Sequence, residues 1–416
     1  MKYSGIFAAV AALILIPALI LAVALAAPGS AAAREYFIAP GGDGGDGSAQ
    51  APFASIAKAF AALEAGDVLT FRKGEYRLDH VEKLTFRGRE GAPITLRGED
   101  GAVLRGVYDK KTNKQPFKPD TYCGFKIFGR WGAVRNLEFA DMGGSCMGGE
   151  VENFVFQDLS LHDYSNYGLI LAKSKNILVS GCRIGHSAIE HGIYLTGPND
   201  NVHIVRSVFF DTAINGVHIN GGGSNVLIEK CVFYGNSREW GACVTSMHGS
   251  HDIIIRNNIF YNNLGHIFTF GEGRATVEHN TVYNDTDRNG QVFIIIGDNK
   301  LWTVRNNVFA TNNYAMAWKN PEWLNPEASF DGNVYSEDAS QRSELRKVGY
   351  ERGGIFDADL EFVSTDDVLQ DLTGLSLKRD SPGAKGAPLL PDVPDDFLGL
   401  PRHEGGAYGA FASTTD

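Results

Sequence analysis

A nine-residue frame repeats along the middle of this chain, and a repeat of fixed period restricts the fold more than composition does. Six segments superpose without gaps, and their first residues lie 23, 25, 24, 27 and 22 residues apart. Each segment is followed by a glycine that opens a second short run of alternating apolar residues. The segments are NFVFQDLSL, NILVSGCRI, NVHIVRSVF, NVLIEKCVF, DIIIRNNIF and RATVEHNTV, beginning at Asn153, Asn176, Asn201, Asn225, Asp252 and Arg274.

This period predicts a parallel β-helix. A repeat of 22–27 residues is too short for a pair of helices, and the frame lacks the L-x-x-L-x-L pattern of leucine-rich repeats. Each repeat would form one coil, and successive coils would stack about 4.8 Å apart. The seventh residue of the frame is asparagine in four successive repeats, at Asn258, Asn280, Asn307 and Asn333. Stacked asparagines at a turn predict a ladder of side-chain amide hydrogen bonds from coil to coil.

The N-terminus has the pattern of a secretory signal. Lys2 precedes an uncharged run from Ile6 to Ala27, and small residues follow. The run is long enough to span a bilayer, but a cleaved leader is favoured over an uncleaved anchor, which predicts a secreted or periplasmic protein. The predicted divisions are a signal peptide at 1–33, an N-terminal cap with the first coils at 34–125, the β-helix core with the site at 126–345, and a closing segment at 346–416.

Charge and cysteine content narrow the partners. Removal of the leader leaves 37 basic and 49 acidic residues, which argues against a nucleic-acid partner because such a partner requires a basic face. An anionic polysaccharide stays compatible if the groove is locally positive. Five cysteines without a C-x-x-C spacing argue against a disulfide scaffold, and Cys182 and Cys231 would lie two coils apart, about 9–10 Å, beyond disulfide reach. We expect a monomer.

Both ends of the mature chain carry a family resemblance. SIAKAFAALEAGD (Ser55–Asp67) predicts an amphipathic helix with Ser55 as N-cap, which would close the open end of the β-helix. The stretch from APGGDGGDGSAQAPFASIAKAF to AGDVLTFRKGEYR, and the tail from FDADLEFV to GLPRHEGGAYGAF, resemble the ends of secreted right-handed β-helix proteins. That resemblance implies an all-β, right-handed parallel β-helix and a polysaccharide partner. The group includes lyases, hydrolases, epimerases and non-catalytic proteins.

Polar aromatic residues concentrate on one face of the second strands. Eight of the eleven histidines fall within residues 186–279. Because side chains alternate along a strand, Tyr194 and His218 should face outward at equal positions of adjacent repeats, and His191 just precedes Gly192. We predict Tyr194 and His218 as the catalytic pair and His191 as an auxiliary proton-transfer group. The residues predicted to contact substrate are Lys173, Arg183, Asn215, Asn220, Arg238, Trp240 and His248.

Such a cluster suits β-elimination of a uronate-containing polysaccharide. The reaction needs a neutralised C6 carboxylate, a base for the C5 proton and an acid for the leaving oxygen. A Tyr–His pair can supply the base and the acid. The segment HGIYL at 191–195 resembles the strand of β-helix alginate lyases and mannuronan C5-epimerases in which His and Tyr flank a glycine. The resemblance implies roles for His191 and Tyr194 only, because the Asp-Pro-His-Asp run of the epimerases is absent.

Two other classes of function stay open. A glycoside hydrolase needs two carboxyl groups about 5–9 Å apart, and Glu190, Glu239, Asp163 and Asp211 are the candidates. A non-catalytic polysaccharide-binding protein would rely on aromatic and basic residues instead. Elimination is ranked slightly ahead of hydrolysis.

No metal site or other cofactor is predicted. The acidic calcium cluster of pectate lyase types is missing, and DTDRNG (Asp285–Gly290) begins like an EF-hand loop but has Ile296 at the twelfth position. We interpret it as a polar turn and leave calcium open.

Overall fold

The structure is a computed structural model that describes residues 33–41, 44–109, 122–271, 273–286, 291–295, 300–312, 327–341 and 351–412. These residues form a parallel β-helix, which confirms the predicted fold class. Each regular coil contributes one strand to each of three parallel sheets. The nine-residue frame contains two of these strands, because the chain bends at its sixth and seventh positions, and the glycine-led run forms the third.

Sheet 1 holds the first strand of each coil. Its strands are β1 (Glu35–Ile38), β2 (Val68–Phe71), β5 (Ile94–Gly98), the C-terminal halves of β7 (Gly124–Arg135) and β9 (Ser145–Gln157), β12 (Lys175–Ser180), β15 (Asp200–Val205), β18 (Ser224–Glu229), β21 (His251–Arg256), β24 (Gly273–Glu278), β27 (Lys300–Arg305), β29 (Ser329–Asp331) and β31 (Glu351–Arg352).

Sheet 2 holds the short strand that completes the nine-residue frame. Its strands are β3 (Gly74–Arg77), β6 (Ala102–Arg105), β8 (Glu138–Ala140), β10 (Ser160–His162), β13 (Arg183–Gly185), β16 (Val208–Phe210), β19 (Val232–Tyr234), β22 (Ile259–Tyr261), β25 (Thr281–Asn284), β28 (Val308–Thr311), β30 (Val334–Ser336) and β32 (Ile355–Ala358).

Sheet 3 holds the glycine-led strand and carries the candidate site. Its strands are β4 (Val81–Arg87), the N-terminal halves of β7 and β9, β11 (Tyr167–Ala172), β14 (Ile193–Thr196), β17 (Val217–Asn220), β20 (Ala242–Met247), β23 (His266–Phe270) and β26 (Phe293–Ile295). Strands β7 and β9 run from sheet 3 into sheet 1 without a break, so the first coils have a different outline from the later ones.

Stacked phenylalanines explain the glycine that opens the sheet 3 strands. Phe209, Phe233 and Phe260 lie in register on sheet 2, and their neighbouring ring centroids are 4.8 Å apart inside the helix. A Cβ on Gly216 would lie 2.9 Å from the Phe233 ring, and one on Gly192 would lie 3.1 Å from the Phe209 ring. A larger residue would therefore crowd the stacked rings, because protein interiors are close-packed.

The predicted asparagine ladder is confirmed. The side-chain amide of Asn258 donates to Oδ1 of Asn280 at 2.9 Å, Asn280 donates to Asn307 at 3.0 Å, and Asn307 donates to Asn333 at 2.9 Å. All four are fully buried. The five cysteines are buried and form no disulfide bonds with one another, in agreement with the sequence, which argued against a disulfide scaffold.

The N-terminal helix forms, but it is shorter than the sequence predicted. Helix α1 (Ile56–Ala61) begins after Ser55, whose hydroxyl accepts from the backbone N–H of Lys58 at 3.4 Å. It ends six residues before Asp67, and turns and irregular chain connect it to β2. Phe60 packs edge-on against Phe86 of β4, with ring centroids 5.0 Å apart. Closure of the solenoid end by this helix stays a prediction.

The C-terminal segment packs against the outer side of sheet 2. Its buried residues, among them Leu375 and Phe411, share a second apolar cluster with Val308 and Val334 of that sheet. Lys230 lies 2.6 Å from a carboxylate oxygen of Asp395. The segment follows helix α2 (Glu337–Gln341) and includes a 3₁₀ turn at Leu372–Leu375.

The predicted signal peptide, residues 1–33, lies outside the described residues except for Ala33, so export stays a prediction. Among the described residues, no helix is both long and apolar enough to cross a membrane.

Candidate functional site

Tyr194 and His218 meet on the outer face of sheet 3. They are register partners on the adjacent strands β14 and β17, and their rings stack with centroids 4.9 Å apart and an interplanar angle of 29°. Their neighbours Ile193 and Leu195 are fully buried, which fixes Tyr194 on the opposite face of its strand. The parallel register thus brings together the two residues that occupy equal positions in the sequence repeat.

A chain of hydrogen bonds leads from the backbone of β20 to His218. Oδ1 of Asn215 accepts from the N–H of Ala242 and from the hydroxyl of Thr245, both at 2.9 Å. The Nδ2 of Asn215 therefore faces Nδ1 of His191, at 3.3 Å, and Nε2 of His191 lies 2.9 Å from Nδ1 of His218. This order assigns the proton of His191 to Nε2, from which it is donated to His218. His218 then carries its own proton on Nε2.

The two ends of the pair are held differently. Nε2 of His218 is buried and has no hydrogen-bond partner within the described residues. The phenolic oxygen of Tyr194 accepts from Nδ2 of Asn220 at 2.9 Å. Tyr167 stacks on the other side of Tyr194, with ring centroids 5.3 Å apart. The site thus offers one imidazole N–H donor and one hydrogen-bonded phenol on the same face.

Burial keeps both imidazoles neutral. Burial, with a smaller contribution from His218, lowers the pKa of His191 to about 2. Burial, with a smaller contribution from His248, lowers the pKa of His218 to about 4. Burial raises the pKa of Glu190, whose Oε2 lies 3.4 Å from Nε2 of His191. Because the imidazole is neutral, we regard this Glu190 contact as a polar contact and not as an ion pair.

Several predicted substrate contacts lie near the cluster without joining its hydrogen bonds. Lys173 and His248 are exposed at the turns that follow β11 and β20. Trp240 is 68% exposed directly before β20, and Glu239 beside it is also exposed. These residues border the outer face of sheet 3, where a bound polymer could reach them.

The structure does not bring Arg183, Arg238, Asp163 or Asp211 into the cluster. Arg183 lies on β13 of sheet 2, and its guanidinium lies over the ring of Phe210, 5.0 Å from the centroid. The other three lie at the turns after sheet 2. Arg238 pairs with Asp211 and donates to the carbonyl oxygen of Ser187 at 2.8 Å. Asp163 forms a hydrogen bond with Nδ1 of His162 at 2.7 Å. The sequence frame hid this division because it spans two strands that face different sides.

A cleft of about 440 Å³ adjoins the cluster on the N-terminal side. Tyr167 lines it and also contacts Tyr194, while its other walls include Lys126, Phe128 and Asn166. The sequence pattern gives no indication of this cleft. The nine-residue frame is weak before Asn153, because β7 and β9 cross two sheets as continuous strands of 12 and 13 residues.

No group of three or more His, Cys, Asp or Glu side chains in the described ranges could hold a metal ion. Within the EF-hand-like segment, Asp287–Gly290 and Ile296 lie outside those ranges. The interpretation of this segment as a polar turn therefore stays a prediction.

The fold and the polar face together define a right-handed parallel β-helix protein. A family model described as "Pel9A-like, right handed beta helix region" matches residues 36–184, and a second, "Right handed beta helix region", matches residues 117–258. Both models describe the right-handed β-helix fold, which agrees with the sequence resemblance.

Solved structures extend this likeness over most of the chain. The pectate lyase Pel9A is 16% identical, with 92% of this chain and 98% of that chain covered and a TM-score of 0.69. An alginate lyase from Paenibacillus sp. str. FPU-7 is 16% identical, with coverages of 73% and 97% and a TM-score of 0.50. A glycoside hydrolase is 10% identical, with coverages of 83% and 99% and a TM-score of 0.50. At these identities the likeness is one of fold. A comparison with curated proteins finds no match.

Proposed function

We propose that the protein is an exported carbohydrate-active enzyme that cleaves a uronate-containing polysaccharide by β-elimination. The observation that carries the proposal is the stacked pair of Tyr194 and His218 on the outer face of sheet 3, with His191 and Asn215 fixing the tautomer of His218. Structures with the same fold include a pectate lyase and an alginate lyase, which agrees with a polysaccharide substrate.

Elimination breaks the C5–H and C4–O bonds and forms a C4=C5 double bond. As a phenolate, Tyr194 would take the C5 proton, and the hydrogen bond from Asn220 would stabilise its negative charge. The phenol formed at Tyr194 would then give this proton to the leaving oxygen, so that no proton is gained or lost over one turnover. The Nε2–H of neutral His218 would donate a hydrogen bond to the leaving oxygen and so assist its departure.

Hydrolysis is the second candidate, and Glu190 is the observation in its favour. Its pKa is raised by burial and its carboxyl group lies beside His191, as a general acid would require. Two of the other candidate carboxylates, Asp163 and Asp211, are engaged at the turns after sheet 2. Asp163 forms a hydrogen bond with His162. Burial by itself would lower the pKa of His162, but the hydrogen bonds to Asp163 and Glu138 raise this pKa to about 9. Asp211 is paired with Arg238. Elimination therefore uses more of the cluster.

The test is the ultraviolet absorbance of unsaturated uronate products during incubation with a panel of polyuronates, with and without calcium. We expect the absorbance to rise with at least one polymer, and the rise to be lost in Tyr194→Phe and His218→Ala. His251→Ala is the matched control, because His251 is exposed on sheet 1. New reducing ends without new absorbance would instead support hydrolysis and Glu190, and no product of either kind would support a binding protein.

A further inference from the structure

The cleft beside the cluster includes one outward position without a side chain. The residues Lys83, Lys126, Gly148, Ile170 and Tyr194 are successive register partners on the sheet 3 strands β4, β7, β9, β11 and β14. Gly148 contributes no side chain, and a Cβ there would lie 2.4 Å from a methyl carbon of Ile170. The Ile170 methyl group thus covers Gly148, and Lys126, Gly148 and Ile170 together line the cleft beside the cluster.

Two polar side chains of the cleft lining, Lys126 and Asn166, can reach a ligand in the cleft. Lys126 is exposed, with its Nζ 5.6 Å from the centroid of the Phe128 ring, and no carboxylate of the described residues lies within ion-pair distance. Asn166 is 3% exposed, and its Oδ1 accepts from the hydroxyl of Ser165 at 2.6 Å. Within the described residues no hydrogen bond reaches its Nδ2. Asn166 lines the cleft, and its Nδ2 is not among the fully buried polar atoms that lack a partner, so this donor is accessible to a ligand in the cleft.

The two lysines at the N-terminal edge of the cleft favour an anion: Lys126 lines the cleft, and Lys83 lies beside it outside the lining. Lys83 and Lys126 are register partners on adjacent strands, and both are exposed. The lining also contains one carboxylate, that of Glu150. Glu150 lies on β9 as the register partner of Phe128, two residues beyond Lys126 on β7. In a chain of net charge −11, two adjacent lysines on one face form a local positive patch. Such a patch attracts an anionic ligand despite the overall charge of the protein.

We propose that this cleft binds a uronate residue of the polysaccharide, with Lys126 at the sugar carboxylate and Asn166 at a neighbouring oxygen. The inference rests on the proposed function for the class of polymer, but not for the chemistry at Tyr194. Lys126 lies three strands from Tyr194, which is about 14 Å at the usual strand spacing. The bound sugar is thus remote from the reacting linkage, and its binding energy can help to hold the polymer across the Tyr194–His218 pair.

The test measures binding of uronate oligosaccharides to Tyr194→Phe by titration calorimetry, so that turnover does not interfere. We expect Lys126→Gln in that background to weaken binding about tenfold or more, since a hydrogen bond to a charged group is lost. We expect Lys126→Arg to retain most of the affinity. Lys175→Gln is the matched control, because Lys175 is an exposed lysine on sheet 1 that pairs with Asp200. Neutral oligosaccharides of equal length should bind weakly to every variant.

Oligosaccharides of different lengths distinguish binding in the cleft from binding at the Tyr194–His218 pair. The effect of Lys126→Gln should disappear for oligosaccharides too short to span both sites. Equal binding by Lys126→Gln, equal binding of neutral and anionic oligosaccharides, or no binding of any uronate oligosaccharide would overturn the proposal. If binding depends on Lys126 but no polymer is cleaved, the cleft stands and the proposed elimination fails. If polymers are cleaved and Lys126→Gln keeps its kcat/KM on long chains, the elimination stands and the cleft proposal fails.

Discussion

Nε2 of His191 lies 2.9 Å from Nδ1 of His218, and the buried amide of Asn215 decides which of the two nitrogens carries the proton between them. Oδ1 of Asn215 is already used by the backbone N–H of Ala242, so the amide can only donate to His191. The orientation of one asparagine therefore sets which nitrogen of His218, two side chains away, carries the proton.

Asn215→Asp should reverse this chain of hydrogen bonds. The carboxylate can still accept from Ala242, but its second oxygen must accept from Nδ1–H of His191, which moves the proton between the histidines and leaves Nε2 of His218 without one. We expect a loss of activity of about a hundredfold or more, as for removal of a hydrogen-bond donor to the charge that develops on the leaving oxygen. Proton–nitrogen correlation spectra of the imidazoles should show the protons shifted from Nε2 to Nδ1. An unchanged spectrum in Asn215→Asp would contradict the assigned tautomers, and Asn201→Asp on sheet 1 is the control.

The sequence predicted the central pair because a parallel β-helix aligns equal positions of its repeats. Tyr194 and His218 stand at the same place in two frames, and the register makes them neighbours. The asparagine ladder follows for the same reason, since each Asn lies at the same turn in successive coils and can bond the next. Repetition along the chain becomes adjacency in space, so a pattern in one dimension was sufficient.

The same sequence reasoning could not separate the three sheets. It placed Arg183 near the cluster, but the bend within the frame turns Arg183 onto sheet 2, over Phe210. Lys126 is not apparent from the repeats, because the long strands β7 and β9 interrupt their period. Asn166 lies in the turn before β11, outside the alternating pattern of the strands. Partners such as Arg238 and Asp211 are set by the path of the turns, which have no repeated pattern.

Breaking the asparagine ladder should destabilise the whole helix. In the ladder, Asn280 donates to the side chain of Asn307 and to the carbonyl oxygen of Ile255, and it accepts from both the backbone and the side chain of Asn258. Asn280→Ala leaves several buried groups without partners, and each costs about 1–3 kcal/mol. We expect the free energy of unfolding to fall by about 3 kcal/mol or more in urea titrations. Asn201→Ala should have a much smaller effect, because Asn201 is exposed on sheet 1, where its amide donates to Oδ1 of Asn176 at 2.8 Å.

Exposed Trp240 should contribute to binding but not to folding. It is 68% exposed on the loop that leads into β20 of sheet 3. Trp240→Ala should weaken binding of the polysaccharide, because an aromatic ring presents a flat apolar surface to a sugar. The free energy of unfolding should change by less than about 0.5 kcal/mol, as is usual for surface substitutions. Tyr36→Ala on sheet 1 is a control for loss of an aromatic ring on another sheet, and equal sugar binding by Trp240→Ala and the unmodified protein would contradict the assignment.

Acid should inactivate and destabilise the protein through the same two histidines. The pKa values of His218 and His191 are lowered to about 4 and about 2, so the unfolded chain binds more protons than the native state once the pH falls below the ordinary value for histidine, about 6.5. The free energy of unfolding should therefore be unaffected by these groups above about pH 6.5 and should decrease as the pH falls towards 4 and then 2. Activity should also fall near pH 4, because a proton on Nδ1 of His218 removes the acceptor for the Nε2–H of His191 and disrupts the cluster. Urea titrations at several pH values should show a weaker acid dependence in His191→Gln than in the unmodified protein, whereas His251→Gln, at an exposed position, should retain the full dependence. An identical acid dependence in His191→Gln would show that these imidazoles are not held neutral by burial.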